Sequence, residues 1–346
     1  MTNPSVIVVG SSNTDMIIKV ARLPRSGETV LGGEFASVAG GKGANQAVSA
    51  ARAGGAVTFI ARIGNDTFGQ TALDCLRANG INTGHVARDR ANPSGVALIF
   101  VADSGQNSIA VAPGANSRLS PADVRKAKGA FRDASVLLLQ LETPLSTAQA
   151  AADLARAAGA RVILNPAPAQ SLPARFLDGL YLLTPNETEA HLLTGVTVDS
   201  EETAAQASGK LLARGIQNVI ITMGARGAFI ASAGVRRFIP GYKVSAVDAT
   251  GAGDVFNGSL AVAIGEGKSL LEAASFANAA AALSVIRPGA QASAPVRKEI
   301  EQVLATGKVP RLAPGPELVP GRNGSNGWPA LAARLAGKPL KILAEC

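Results

Sequence analysis

The chain has 346 residues, 47% of them hydrophobic and 17% charged, against roughly 25% charged in a typical domain. This excludes global disorder and predicts one large α/β unit with an appendage, or two domains. The net charge of +8 comes from basic residues scattered without a run of five, which speaks against nucleic acid as a partner and leaves small anions such as phosphorylated metabolites.

Taken in chain order, short β-branched runs alternate with Ala/Leu-rich stretches. Strands are predicted at 6–9, 57–62, 136–141, 162–165, 181–184 and 219–222, and helices at 43–53, 69–79, 146–158, 187–194 and 201–214. The strands are continuously apolar, as in a parallel sheet covered on both faces, so the predicted fold is doubly wound α/β. Two stretches break the rhythm with strand-like segments at 16–20, 29–31, 96–101 and 108–112 and no intervening helix. They predict a small inserted β lid, at about 14–40 and 95–113, within a body spanning 1–308. Residues 309–346 contain six prolines and five glycines and read as a linker-like tail that can be removed without loss of fold or activity.

Aromatic residues make up only 4% of the chain, so Ala, Val, Leu and Ile must fill the core. Two cysteines, Cys75 and Cys346, cannot build a disulfide framework, and His85 and His191 offer no zinc spacing. The start, MTNPSVIVVG, lacks the basic and apolar regions of a signal peptide, and no apolar run reaches 18 residues. The expectation is a cytoplasmic chain with no membrane partner.

Five segments can carry chemistry. In Asp248-Ala249-Thr250-Gly251-Ala252-Gly253-Asp254, small residues lead into an apolar helix at 255–264. Their N–H groups can approach an anion, and the helix dipole favours negative charge. Asp254, in the first helical turn, suits either a helix cap or a general base for phosphoryl transfer. Gly40-Gly41-Lys42-Gly43-Ala44-Asn45 precedes another helix and suits either a tight turn or close approach to a polyhydroxy ligand. Asn186 and Glu189 follow a strand and fit a capping box or a site ordering Mg²⁺ waters. Thr222, Gly224 and Gly227 form a strand end and turn that can be a plain turn or a nucleotide contact. Asn13 and Asp15, after the turn at 10–12, can stabilise that turn or bind sugar hydroxyls. Gly267-Lys268-Ser269 fails as a P-loop because Val262 replaces the required glycine. No dinucleotide fingerprint follows the first strand, and there is no Gly-x-Ser-x-Gly elbow.

Together with Asn165-Pro166-Ala167-Pro168 and Pro185-Asn186-Glu187-Thr188-Glu189, these segments resemble the ribokinase-like family of sugar and nucleoside kinases over about residues 4–306. Asn13 and Asp15 with Gly41–Asn45 point within it to ribose. The resemblance implies ribose held by Asn13, Asp15, Gly41, Lys42, Asn45 and Glu142, with Asp254 as base on the 5-hydroxyl and Gly251, Ala252 and Gly253 completing an anion hole. It implies ATP on Asn186, Thr222, Gly224, Gly227, Gly253 and Asn278, and Mg²⁺ ordered by Glu189. It further implies a monovalent cation, usually K⁺, at Asp248, Thr250, Ser284, Arg287, Gly289 and Ser293, several through backbone carbonyls, and a homodimer paired through the lid. Deoxyribose, fructose or a nucleoside are alternative acceptors, and a catalytically inactive sugar sensor is a further alternative.

Overall fold

The computed structural model describes residues 3–310. The strands are β1 (Ser5–Val9), β2 (Asn13–Val20), β3 (Phe35–Gly40), β4 (Ala56–Gly64), β5 (Asn82–Asp89), β6 (Gly95–Ala102), β7 (Asn107–Ala112), β8 (Val136–Leu139), β9 (Arg161–Leu164), β10 (Leu182–Leu183), β11 (Asn218–Thr222), β12 (Gly227–Ser232) and β13 (Val235–Pro240). The helices are α1 (Lys42–Arg52), α2 (Thr67–Ala78), α3 (Pro121–Lys126), α4 (Leu145–Ala157), α5 (Ala174–Leu177), α6 (Glu187–Thr194), α7 (Glu201–Leu212), α8 (Ala252–Gly265), α9 (Leu270–Ser284) and α10 (Arg297–Thr306).

Nine strands form one sheet in the order β13-β12-β11-β10-β9-β8-β1-β4-β5. It is parallel from β11 to β5, and β12 and β13 close one edge antiparallel. Alternation along each strand divides the core into two layers. Val6, Val8, Phe59, Leu138 and Ile220 face the layer built with α1, α8 and α9. Ile7, Val9, Ile60, Leu139 and Ile221 face the layer built with α4 and α7. Continuous apolar runs in the strands are therefore what this sheet requires. Both α8 and α9 are buried over nearly their whole length, and the density of alanine in α9 permits that.

The second sheet, β3-β2-β6-β7, is the lid. Its first strand in sequence is longer than expected and starts at Asn13, while no strand forms at 29–31, where Leu31 is 95% exposed. The partner of β2 is instead β3, whose Ala36, Ser37 and Ala39 carry no strand signal of their own; pairing with Ile17, Met16 and Thr14 makes it a strand. The edge strand β5 and the hairpin β12–β13 also lay beyond the pattern reading. Residues 311–346, most of the expected tail, lie outside the described residues. Among the described residues no helix is long and apolar enough to cross a membrane.

Candidate active site

The site forms where α1 and α8 cross. A Cβ at Gly258 would lie 2.5 Å from the Gln46 carbonyl oxygen and 2.8 Å from the Ala50 nitrogen, so glycine there allows the two helices near backbone contact. That crossing sets the first turn of α1 against the first turn of α8. Asn45 Nδ2 donates to Asp254 Oδ2 and Gln46 Nε2 donates to Asp254 Oδ1, each at 3.0 Å. Asp254 is 7% exposed. Burial pushes its carboxyl above the usual range, against the pull of the Lys42 ammonium and the two amides.

The lid supplies the facing wall. Asn13 and Asp15 lie at the start of β2, and the Asp15 carboxylate packs over Gly40, where a Cβ would approach Asp15 Oδ2 to 2.2 Å. Asn13 Oδ1 accepts from Asn116 Nδ2 at 2.8 Å, and Asn116 also holds the Ser12 backbone. Gly41 has φ +87°, the left-handed region, and its Cβ would meet the Asn13 nitrogen at 2.7 Å. Glu142 Oε2 accepts from the Lys42 backbone N–H at 2.9 Å and from the Ser11 hydroxyl. Burial, and then the charges of Glu142 and Asp254, push the Asp15 carboxyl up to about 7, while Lys42 opposes them. The Lys42 ammonium is in turn held in its charged form by Asp254 first, and by Glu142, Glu189 and Asp15. The predicted sugar residues thus converge on one polar pocket beside Asp254.

On the other side of α8 lies a cleft of about 590 Å³. Asn186, Thr222, Gly224, Gly227, Gly253 and Asn278, all expected at a nucleotide, line it. A Cβ at Gly253 would meet nothing within 4 Å, so the start of α8 opens directly to this space. Val244, Ala246, Ala281 and Val285 give the cleft an apolar wall that suits a flat base. Val244 and Ala246 escaped the sequence reading because the segment 241–249 is irregular and carries no periodicity. Asn278 lines the cleft while its Nδ2 donates to the Pro240 carbonyl at 2.9 Å.

Asn186 and Glu189 form a reciprocal capping box on α6, at 2.8 and 2.9 Å. The box uses Glu189 Oε2. Burial raises the carboxyl of Glu189, which senses the charges of Lys42 and Asp254. Its second oxygen takes no part in the box. Of the expected cation residues, Asp248 Oδ1 accepts from Thr250 N–H and Oδ2 from Gly289 N–H, both at 2.9 Å. The Ser284 and Ser293 hydroxyls donate to the Ala281 and Ala290 carbonyls, and the Arg287 guanidinium pairs with Glu299. These side chains are occupied within the fold, and what they leave for a cation is backbone carbonyls on two loops stitched together by Asp248. Such hard oxygen donors fit an alkali cation. The sequence reading missed Gln46, Asn116 and Gln291. For Gln46, its place directly after Asn45 in the glycine-led start of α1 was a usable signal.

The model of the pfkB family carbohydrate kinases matches residues 3–297. A ribokinase of Haemophilus influenzae is 45% identical over 300 residues, covering 87% of this chain and 98% of that protein. A deoxyribokinase of Salmonella typhimurium is 36% identical over 301 residues, covering 87% and 98%. The structure of Arabidopsis thaliana ribokinase complexed with ribose and ATP superposes with a TM-score of 0.80 at 35% identity, covering 88% of this chain and 99% of that one. With the two helix starts, the lid wall and the nucleotide cleft arranged as described, the chain belongs to the pfkB family of carbohydrate kinases.

Proposed function

We propose that the protein is a ribokinase, transferring the γ-phosphoryl group of ATP to the 5-hydroxyl of D-ribose and giving ribose 5-phosphate and ADP. The observation that carries this reading is Asp254: a buried carboxylate at a helix start, between a polar pocket walled by Asn13 and Asp15 and a cleft into which Gly253 opens. Asp254 takes the 5-hydroxyl proton as the oxygen attacks the γ-phosphorus in line, and ADP leaves. The N–H groups of Gly251, Ala252 and Gly253 receive the charge spread over the phosphoryl oxygens. Lys42 balances the carboxylates of the sugar pocket and adds positive charge there. The lid excludes water, which limits ATP hydrolysis.

Glu189 would order Mg²⁺ through water, and Mg²⁺ when bound neutralises phosphate charge. Carbonyls of the loops bearing Asp248, Thr250, Ser284, Arg287, Gly289 and Ser293 would hold a monovalent cation such as K⁺. The lid exposes Phe35 and Leu98 on one face and Ile109 and Val111 on the other, and we read the lid as the contact of a homodimer. A cytoplasmic location accords with the need for ATP.

The deoxyribokinase likeness favours deoxyribose as the second reading. A coupled ADP-release assay across ribose, deoxyribose, fructose and nucleosides tests both. Ribose with the highest kcat/KM is the expected result, and preference for another acceptor would replace it.

A further inference from the structure

Gln46 is fully buried in a helix whose buried side mixes Ala44, Ala47, Val48 and Ala50 with the polar Asn45 and Ser49. Its Nε2 donates to Asp254 Oδ1 and to Asn165 Oδ1, both at 3.0 Å, and its Oε1 accepts from Gln140 Nε2 at 2.5 Å. The orientation of that amide is determined by its neighbours. Asn165 Nδ2 donates to the Thr184 carbonyl at 3.1 Å, so Asn165 must offer its oxygen to Gln46. Gln46 must then present nitrogen to both Asn165 and Asp254. Turning it over would oppose oxygen to oxygen at both contacts.

A second relay reaches the other carboxylate oxygen. Gln291 Nε2 donates to Asn45 Oδ1 at 3.1 Å, and Asn45 Nδ2 donates to Asp254 Oδ2. Two donor chains, from Gln140 through Gln46 and from Gln291 through Asn45, end on the two oxygens of the carboxylate. The arrangement has a cost, since Gln140 Oε1 is buried without a hydrogen-bond partner. A packing role would be met better by leucine or methionine at 46 and 140, which would leave no orphaned oxygen.

We propose that Gln46, backed by Gln140, is a positioning residue that holds Asp254 as an ionised acceptor and fixes the rotamer whose remaining lone pairs face the sugar. This rests on the reading of Asp254 as the base. A proton on Oδ1 would point at an N–H that cannot turn away, so the contact favours the charged form. The groups bearing on Asp254 from the surrounding elements are Lys42 on α1, Glu142 beyond β8, Asp15 on β2 and Glu189 on α6. Three of these four are carboxyls, and burial adds to their effect. The amide relays and Lys42 are what oppose protonation.

The near-isosteric Gln46→Met removes the donor and keeps the volume. In the full-length protein, the acidic limb of the kcat profile is expected to move about one unit toward higher pH, so that kcat falls by up to about tenfold at pH values below the limb, with KM for ribose and ATP little changed. The deficit narrows at pH 9. In aspartate-labelled protein, with Asp254→Asn identifying the resonance, ¹³C carboxyl titration is expected to show Asp254 protonating at higher pH in Gln46→Met than in wild type. A folded variant with an unmoved limb and an unmoved titration overturns the proposal, as does a loss of kcat uniform across pH. If Gln46→Met does not fold, Gln140→Met carries the same test, with a smaller shift in the same direction expected and an unmoved titration overturning it. Wild-type protein inactive on every sugar would refute the kinase reading, and the carboxyl titration would still decide the role of Gln46.

Discussion

Asp248 and Gly289, 41 residues apart, are joined by a 2.9 Å hydrogen bond from the glycine N–H to the buried carboxylate, whose other oxygen accepts from Thr250. The loop leading into α8 is thereby tied to the loop leaving α9. Val247 and Asp248 reinforce the tie by donating their N–H groups to the Val285 carbonyl. Four residues after Thr250 comes Asp254, so the shape of this stitched pair sets the start of α8.

Monovalent-cation dependence is the test of the cation site proposed there. Measured in Na⁺- and K⁺-free buffer, kcat is expected to be low and to rise on titrating K⁺, because a cation between the loops adjusts the anion hole without touching ATP. Asp248→Ala should fold less stably and lose most of the response. A flat titration in wild type would refute the site.

Asp254→Asn is expected to lower kcat by ~10²–10⁴. Ribose and ATP affinities, measured calorimetrically, should stay near wild type because the pocket wall and the cleft are intact. Near-wild-type turnover would remove Asp254 from the role of base.

Asp15 makes the stability of the ligand-free protein depend on pH. Its carboxyl titrates near 7 when folded, against 3.8 as the ordinary value, so the folded state holds a proton that the unfolded state releases. This contribution is full below about pH 4 and is lost as pH rises through 7, on the order of 4 kcal/mol at most. Urea unfolding at pH 5 and pH 8 should show a smaller pH 5 advantage in Asp15→Asn than in wild type. An unchanged difference would contradict it.

Two glycines should respond in opposite ways to alanine. At Gly43 a Cβ would lie 2.5 Å from the Ser11 nitrogen and 2.7 Å from Gly10 Cα, both backbone, so Gly43→Ala should lower Tm strongly, costing about 1–3 kcal/mol or more. At Gly253 the space is open, so Gly253→Ala should keep Tm and instead lower kcat/KM for ATP. Thermal melts and kinetics on both proteins separate packing from catalysis.

Association through the lid can be read by sedimentation. Ile109, 56% exposed on β7, is the substitution site of choice, and Ile109→Lys should shift the protein to monomer. Wild type that is already monomeric at micromolar concentration would discard the dimer.

Much of this was legible in the amino-acid order. Asp254, Gly251 and Asn45 stand in segments where small residues precede a helix, and Asp15 follows a tight turn. This singles these positions out as candidates without deciding between a local and a chemical role. The buried strands of the large sheet leave an unbroken apolar signature. Where pairing partners determine the structure, the signal fades. β3 is a strand because β2 lies beside it, and β12 and β13 because β11 offers an edge. The apolar wall of the cleft, Val244 and Ala246 with Ala281, comes from an irregular segment and a helix face that meet only in three dimensions. Gln46 shows a third limit, since a buried amide is intelligible only once its acceptors are known.

Asp15, Ala97 and Val111 stand in register across β2, β6 and β7, and therefore point to one face of the lid. The sheet that carries Asp15 thus extends, on that same face, into an uncovered apolar margin where Val111 is 52% exposed. Anything that settles on this margin restrains the strands that carry Asn13 and Asp15. By reciprocity, sugar that restrains those strands tightens the grip on whatever occupies the margin by the same factor. Diluting the protein should then weaken its hold on sugar, so that its own concentration becomes a regulator of how much sugar it captures.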